Sequence, residues 1–236
     1  MKKKLIFTLL LVFLIAFSVH AKDREVLLRE DFNNLENWKP LYFHKIKEHT
    51  LYYVVKKENE SFLKAKSNSS ASALVYKKEF NAYKYPKVRW RWKISNIYKK
   101  GNALEKSGDD YPARIYITFK YDSGKAPFGK KIKYSLVKAL YGEYPPHSTI
   151  NYIWANRQHK KNIITNTYAK ETKMIILQAG AEKAGKWMEQ EVNIIEDYRK
   201  AFGSEPPATA SIAVMNDSDN TKEGSVLCID YIEVGK

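Results

Sequence analysis

Lys87-Val88-Arg89-Trp90-Arg91-Trp92-Lys93-Ile94 decides the fold class. Apolar and charged residues alternate without a break. Val88, Trp90, Trp92 and Ile94 therefore share one face of an extended chain, and Lys87, Arg89, Arg91 and Lys93 share the other. A period of two marks a strand with one face on a core and the other in water. Arg114 to Phe119 repeats the pattern, with Ile115, Ile117 and Phe119 opposite Arg114, Tyr116 and Thr118. Further strand-like segments are Glu25–Arg29, Leu51–Val55, Phe62–Ala65, Ala73–Tyr76, Ile150–Trp154, Lys173–Gln178, Glu189–Ile194, Ala210–Met215 and Leu227–Val234, set off by turn residues. Strands do not alternate with long helices, which argues against a doubly wound fold. The expectation is an all-β chain: one antiparallel β-sandwich over residues 22–236, jelly-roll or lectin-like.

Two segments read as helix. Ile195 to Phe202 places Glu196 and Lys200 at i,i+4 and ends on Gly203, with Pro206-Pro207 beyond. Pro127 to Tyr141 puts Phe128, Ile132, Leu136 and Leu140 on one stripe, with lysines elsewhere. It is expected as a short helical insertion near 125–145. A basic amphipathic helix of this kind either packs on its own protein or lies on an anionic membrane, so peripheral membrane contact through 127–141 stays open.

Length and composition exclude several classes. The 236 residues, 44% of them apolar, suffice for one sizeable core and exclude a disordered chain. Lys2, Lys3 and Lys4 precede an apolar run from Leu5 to Val19, and Val19-His20-Ala21 fits a signal-peptidase site. Residues 1–21 therefore read as a secretory signal, and the mature protein as exported, periplasmic or extracellular. Removing three lysines lowers the formal charge of +15 by three. A basic exported protein meets anionic polymers such as lipopolysaccharide, wall polymers and acidic polysaccharides. The single cysteine, Cys228, lies in the apolar run Val226–Ile229, forms no disulfide within the chain, and reads as a buried core thiol.

Three groups of polar residues stand out. Asp109-Asp110 precedes the Arg114 strand; the pair could serve a ligand or a glycosidase acid, or simply hold an arginine. Asn216-Asp217-Ser218-Asp219-Asn220-Thr221 follows a strand. Its short oxygen-bearing side chains suit a hard cation, which makes Asp217, Asp219 and Asn220 candidate calcium ligands, although the glycine and distal glutamate of an EF-hand are out of register. Arg89, Arg91, Arg114, Tyr116 and Thr118 are expected on one shared face of neighbouring strands. There arginine would grip carboxylate, sulfate or phosphate, and flat rings, Trp154 among them, would stack on sugars. Weaker still, Glu30-Asp31 and Asp230 to Glu233 could share a structural calcium if the first and last strands are neighbours. There is no G-x-S-x-G, P-loop or H-E-x-x-H signature. No residue is assigned as catalytic, and no spacing singles out His147 or His159 as a base.

Arg89-Trp90-Arg91-Trp92-Lys93, Gly108-Asp109-Asp110-Tyr111-Pro112-Ala113-Arg114-Ile115-Tyr116, Tyr152-Ile153-Trp154, Asp197 to Gly203, and Asp217-Ser218-Asp219-Asn220-Thr221 together resemble the bacterial domain-of-unknown-function family 3047. The resemblance runs from about Val26 to Val234. It implies an exported single-domain sandwich, with no assigned activity and no catalytic residues. The functional expectation is a non-enzymatic binding module for a carbohydrate or anionic envelope polymer, contacted by Arg89, Arg91, Asp109, Asp110, Arg114, Tyr116 and Trp154. The alternative is a polysaccharide lyase or glycoside hydrolase acting on an acidic glycan, with Asp109 or Asp110 among its acids. Nucleic acid could use the same chemistry, but export disfavours it.

Overall fold

The computed structural model describes residues 25–58, 60–122, 124, 134 and 145–236. The expected signal segment and nearly all of the expected 127–141 helix lie outside the described residues. Among the described residues no helix is long and apolar enough to cross a membrane.

Two sheets face each other. The first has six strands, in the order β12 (Met188–Asn193), β7 (Lys87–Ile94), β14 (Gly224–Gly235), β4 (Glu60–Asn68) and β3 (Leu51–Lys57), with β1 (Val26–Glu30) also paired to β14. The second has eight, in the order β10 (Ile163–Thr165), β11 (Thr172–Ala179), β9 (Ser148–Ala155), β8 (Arg114–Phe119), β13 (Thr209–Met215), β5 (Ala73–Tyr76) and β2 (Trp38–Leu41), with β6 (Phe80–Asn81) on β13. The fold is the expected β-sandwich. All pairs are antiparallel except β9 with β11. The first and last strands are neighbours, since Glu30 pairs with Ile232.

The alternation in β7 resolves into a buried tryptophan face. Val88, Trp90, Trp92 and Ile94 are fully buried. Trp90 and Trp92 meet edge to face at 5.4 Å; Trp90 lies 5.5 Å from Tyr152, and Trp92 6.0 Å from Trp154, so these rings tie the sheets together. β9 is buried on both sides because Ile153 and Ala155 pack outward against Ala103, Tyr111, Ile164 and Met174.

The helix α1 (Ile194–Phe202) starts one residue earlier than expected. Asn193 ends β12 and caps the helix, its side chain accepting from the amides of Ile195 and Glu196. Gly203 stops it with φ of 68°, the left-handed conformation glycine adopts freely. The expected Glu196–Lys200 pair does not form: Lys200 approaches Asp197 at 3.8 Å, and Glu196 instead accepts from the Asn193 side chain. Three short strands, β2, β6 and β10, give no periodic signal. β2 even contains Pro40, tolerated because β2 is a sheet edge.

Candidate functional site

The two acidic loops meet because of strand register. In the antiparallel pair β8–β13, Arg114 sits opposite Met215. The residues before Arg114 and after Met215 therefore leave the sheet side by side. The ladder continues one step, with the Asp217 amide donating to the Tyr111 carbonyl at 3.3 Å. Asn216 and Ser218 pin the second loop across to the first sheet. Asn216 donates to the carbonyls of Ala65 and Ser225, and Ser218 bonds Ser67 side chain to side chain.

At this junction Arg114 and Asp217 form a buried bidentate pair. Arg114 donates from Nε to Asp217 Oδ1 at 2.7 Å and from Nη2 to Oδ2 at 2.5 Å, with the two residues only 4% and 2% exposed. Nη2 also donates to the Asp109 carbonyl, and Nη1 to the Tyr116 hydroxyl at 3.0 Å. The guanidinium carbon stands 4.2 Å from the centre of the Tyr111 ring. Burial opposes the charge on Arg114, but Asp217, Tyr116 and Asp109 hold its proton above the already high arginine value. Burial pushes the Asp217 carboxyl well above the ordinary carboxylate range; the guanidinium pulls it back, and Asp110 and Asp109 push it up again. Burial likewise pushes the Tyr116 phenol up to about 12, so it stays a neutral donor that bonds Met215 Sδ at 3.6 Å.

Asp110 is fully buried and ties down the second loop. Its Oδ2 accepts from the Thr221 amide at 2.6 Å and its Oδ1 from the Asn220 amide at 3.3 Å. Asp109 is 5% exposed, and its Oδ2 accepts from Asn166. One carboxylate oxygen from each of Asp110, Asp217 and Asp219 lies within 4.8 Å of the other two. Burial, followed by Asp110, raises the Asp219 carboxyl. The Thr221 hydroxyl, on the residue whose amide bonds Asp110, is buried with no hydrogen-bond partner among the described residues. Calcium takes six to eight oxygens, and this set offers three carboxylates. Asp110 joins Asp217 and Asp219 in this cluster, and the Asn220 side-chain amide donates to the Tyr168 hydroxyl at 2.9 Å. The carboxylates at the termini are taken up otherwise: Glu233 and Asp31 by Arg29, Asp230 by Arg91, and Glu30 by the Phe32 amide and the Trp38 indole.

The expected arginine face does not form. Arg89 and Arg91 belong to β7 in the first sheet, Arg114 and Tyr116 to β8 in the second, so they lie on opposite outer faces of the sandwich. Arg89 pairs with Glu191 at 2.7 Å and Arg91 with Asp230 at 3.0 Å. Trp154 points into the core, its Nε1 bonded to the Gly180 carbonyl, and cannot stack on a ligand. Burial also removes Asp109, Asp110 and Arg114 as direct ligand contacts. Of the expected ligand residues, Tyr116 borders a groove.

That groove, about 640 Å³, lies on the outer face of the eight-stranded sheet. Its floor is set by the small outward residues of β5 and β13, Ala73, Ser211 and Ala213. Lys39, Leu41 and Phe43 form one wall, and Tyr116, Tyr121 and Lys120 the other. Pro145 and Pro146 also line it, and Thr149 stands beside Thr118 on the next strand. Glu79 is the one carboxylate among the lining residues and pairs with Lys120 at 2.9 Å. Sequence periodicity marked Ala73 and Ala210–Met215 as strand, but nothing in it showed that a run of small side chains would lie between two larger walls. Phe43 and Tyr121 sit in loops and carried no signal.

No curated protein matches the chain in sequence. Among solved structures it is similar to the family 11 carbohydrate-binding module of the cellulosomal cellulase Lic26A-Cel5E of Clostridium thermocellum, at 12% identity over 90% of this chain and 95% of that one, with a TM-score of 0.44. It is also similar to the winged bean acidic lectin complexed with methyl-alpha-D-galactose, at 8% identity, 84% and 98% coverage and a TM-score of 0.39. A third is the family GH12 endoglucanase 3 of Trichoderma harzianum, at 6% identity, 84% and 97% coverage and a TM-score of 0.37. Residues 36–233, most of the chain, match the family described as "Protein of unknown function (DUF3047)", and the chain belongs to that family.

Proposed function

We propose that the protein is an exported, non-catalytic binding module that holds a carbohydrate chain in the groove on the eight-stranded sheet. The observation that carries this reading is the groove itself. Its volume, about 640 Å³, is that of a ligand site, and Phe43, Tyr116 and Tyr121 set aromatic rings beside lysine and hydroxyl groups. Rings take the flat faces of sugars, and Lys39, Thr118 and Thr149 supply hydrogen bonds at the edges. Tyr116 is already held by Arg114, which Asp217 holds in turn, so little ordering remains for binding to impose. Lys39 has no carboxylate partner among the described residues, which favours a glycan carrying acidic groups. The lyase or hydrolase alternative loses its candidate acids, because Asp109 and Asp110 are buried and their carboxylates accept from Asn166 and from backbone amides.

Calcium enters the reading as a structural ion at Asp110, Asp217 and Asp219. The close approach of the three oxygens and the unpartnered Thr221 hydroxyl support it.

The test is calorimetric titration of the mature protein with neutral and acidic oligosaccharides. Binding to one class, weakened at least tenfold by Tyr116→Ala together with Phe43→Ala, is the expected result. Absence of binding across the panel, or binding indifferent to that double change, overturns the reading.

A further inference from the structure

The outer face of the other sheet carries a second arrangement. Cys228 on β14 stands opposite Lys64 on β4 and opposite Lys93 on β7, and Lys64 stands opposite Tyr53 on β3. Register therefore lines up Tyr53, Lys64, Cys228 and Lys93 in one row across four strands. Trp187, just before β12, ends the row: the Lys93 ammonium lies 4.6 Å from its ring centre, and the Lys64 ammonium 5.9 Å from that of Tyr53. The thiol is buried as expected, only 8% exposed, on the face of β14 that carries its Lys64 and Lys93 neighbours rather than in the main core cluster. A recess of about 320 Å³ opens over it, with Lys64 and Lys93 on its two sides.

The charge balance of this face is uneven. Its arginines are neutralised, Arg89 by Glu191 and Glu233, Arg91 by Asp230. Lys64 and Lys93 have no ion pair among the described residues, and an aromatic ring steadies an ammonium without cancelling its charge. Their Cα atoms are two strand spacings apart, about 10 Å. Long flexible stems let both ammonium groups close on one anionic group set between them.

We propose that this recess is a second binding site, for the carboxylate groups of an acidic polysaccharide, on the face opposite the groove. Lys64 and Lys93 supply the charge, leaving the rings of Tyr53 and Trp187 at the ends of the row to close on the carboxylate. The site does not depend on the groove, and a polymer long enough to wrap an edge of the sandwich would engage both.

The probe is an oligogalacturonate, with two readouts: its affinity, and the rate at which iodoacetamide alkylates Cys228, the one cysteine of the chain. Saturating oligogalacturonate is expected to slow alkylation, and added salt to restore it. Lys64→Gln and Lys93→Gln should each weaken affinity about fivefold. Lys64→Glu should weaken it further, while Lys39→Gln in the groove leaves the protection of Cys228 intact. Three outcomes overturn the proposal. In one, the double Lys64→Gln, Lys93→Gln variant binds as the parent does. In another, Lys39→Gln alone abolishes protection, which assigns the ligand to the groove. In the last, only phosphatidylglycerol vesicles or a DNA duplex protect the thiol. Loss of groove binding with Cys228 still protected by oligogalacturonate would instead count against the groove reading alone.

Discussion

Replacing Asp217 by alanine leaves Arg114 buried without its main partner. Three hydrogen bonds disappear: two charge-assisted bonds from the guanidinium, at 2.7 and 2.5 Å, and a weaker one from the Tyr111 amide at 3.3 Å. A bond to a charged group contributes about 1.5–3 kcal/mol, and removing one member of a buried ion pair costs about 3–5 kcal/mol. Arg114 keeps the Tyr116 hydroxyl and the Asp109 carbonyl, with the Asp109 carboxylate 3.9 Å away, so the lower end, about 3 kcal/mol, is expected. For a domain of this size that is a fall in Tm of about 6–12 °C. Urea unfolding measures it directly. A double-mutant cycle with Arg114→Met then isolates the pair. Because well-packed apolar residues can replace a buried pair at little cost, Asp217→Leu with Arg114→Met should recover much of the loss. A single change costing under about 1 kcal/mol, or costs that simply add, would refute the reasoning that this pair fastens the two loops.

Burial raises the Asp197 carboxyl, which accepts from the Tyr152 hydroxyl at 2.8 Å. The folded chain therefore holds that proton more tightly than the unfolded one. The resulting stability is fully present below the ordinary carboxylate value and is lost as pH rises from there through the raised value. Asp197→Asn should flatten this part of the stability–pH curve, and a curve unchanged in urea midpoints would count against it. If calcium binds at Asp110, Asp217 and Asp219, saturation at about a hundred times Kd adds about 2.7 kcal/mol, a rise in Tm of about 5–10 °C over chelator. Asp219→Asn should abolish that rise; a rise that persists places the ion elsewhere. Trp90→Ala opens the middle of the core and should cost about 3–5 kcal/mol, read from the same urea midpoints, whereas a loss below about 1 kcal/mol would mean that the ring does not join the sheets.

The sandwich was legible in the chain because strand geometry is local. Which way Val88, Trp90, Trp92 and Ile94 point follows from a period of two, and burial of one face fixes the register of that strand. The helix ending at Gly203 was legible for the same reason: its caps lie within a few residues of what they cap. Asp109, Asp110, Arg114 and Asp217 were also visible as unusual polar residues near strand ends. Their roles were not. Arg89 and Arg114 follow the same alternation, yet they face opposite sides of the molecule, because β7 and β8 belong to different sheets. That assignment depends on pairings between residues far apart in the chain, about which a local pattern says nothing. The same holds for the Arg114–Asp217 pair, joined across a separation of 103 residues by the register of β8 on β13. It holds for Asp110 joining Asp217 and Asp219, and for Cys228 lying between two lysines in one row of its sheet. Composition and periodicity determined what kind of chain this is; tertiary pairing decided which polar residues are buried as structure and which stay on the outer faces of the two sheets.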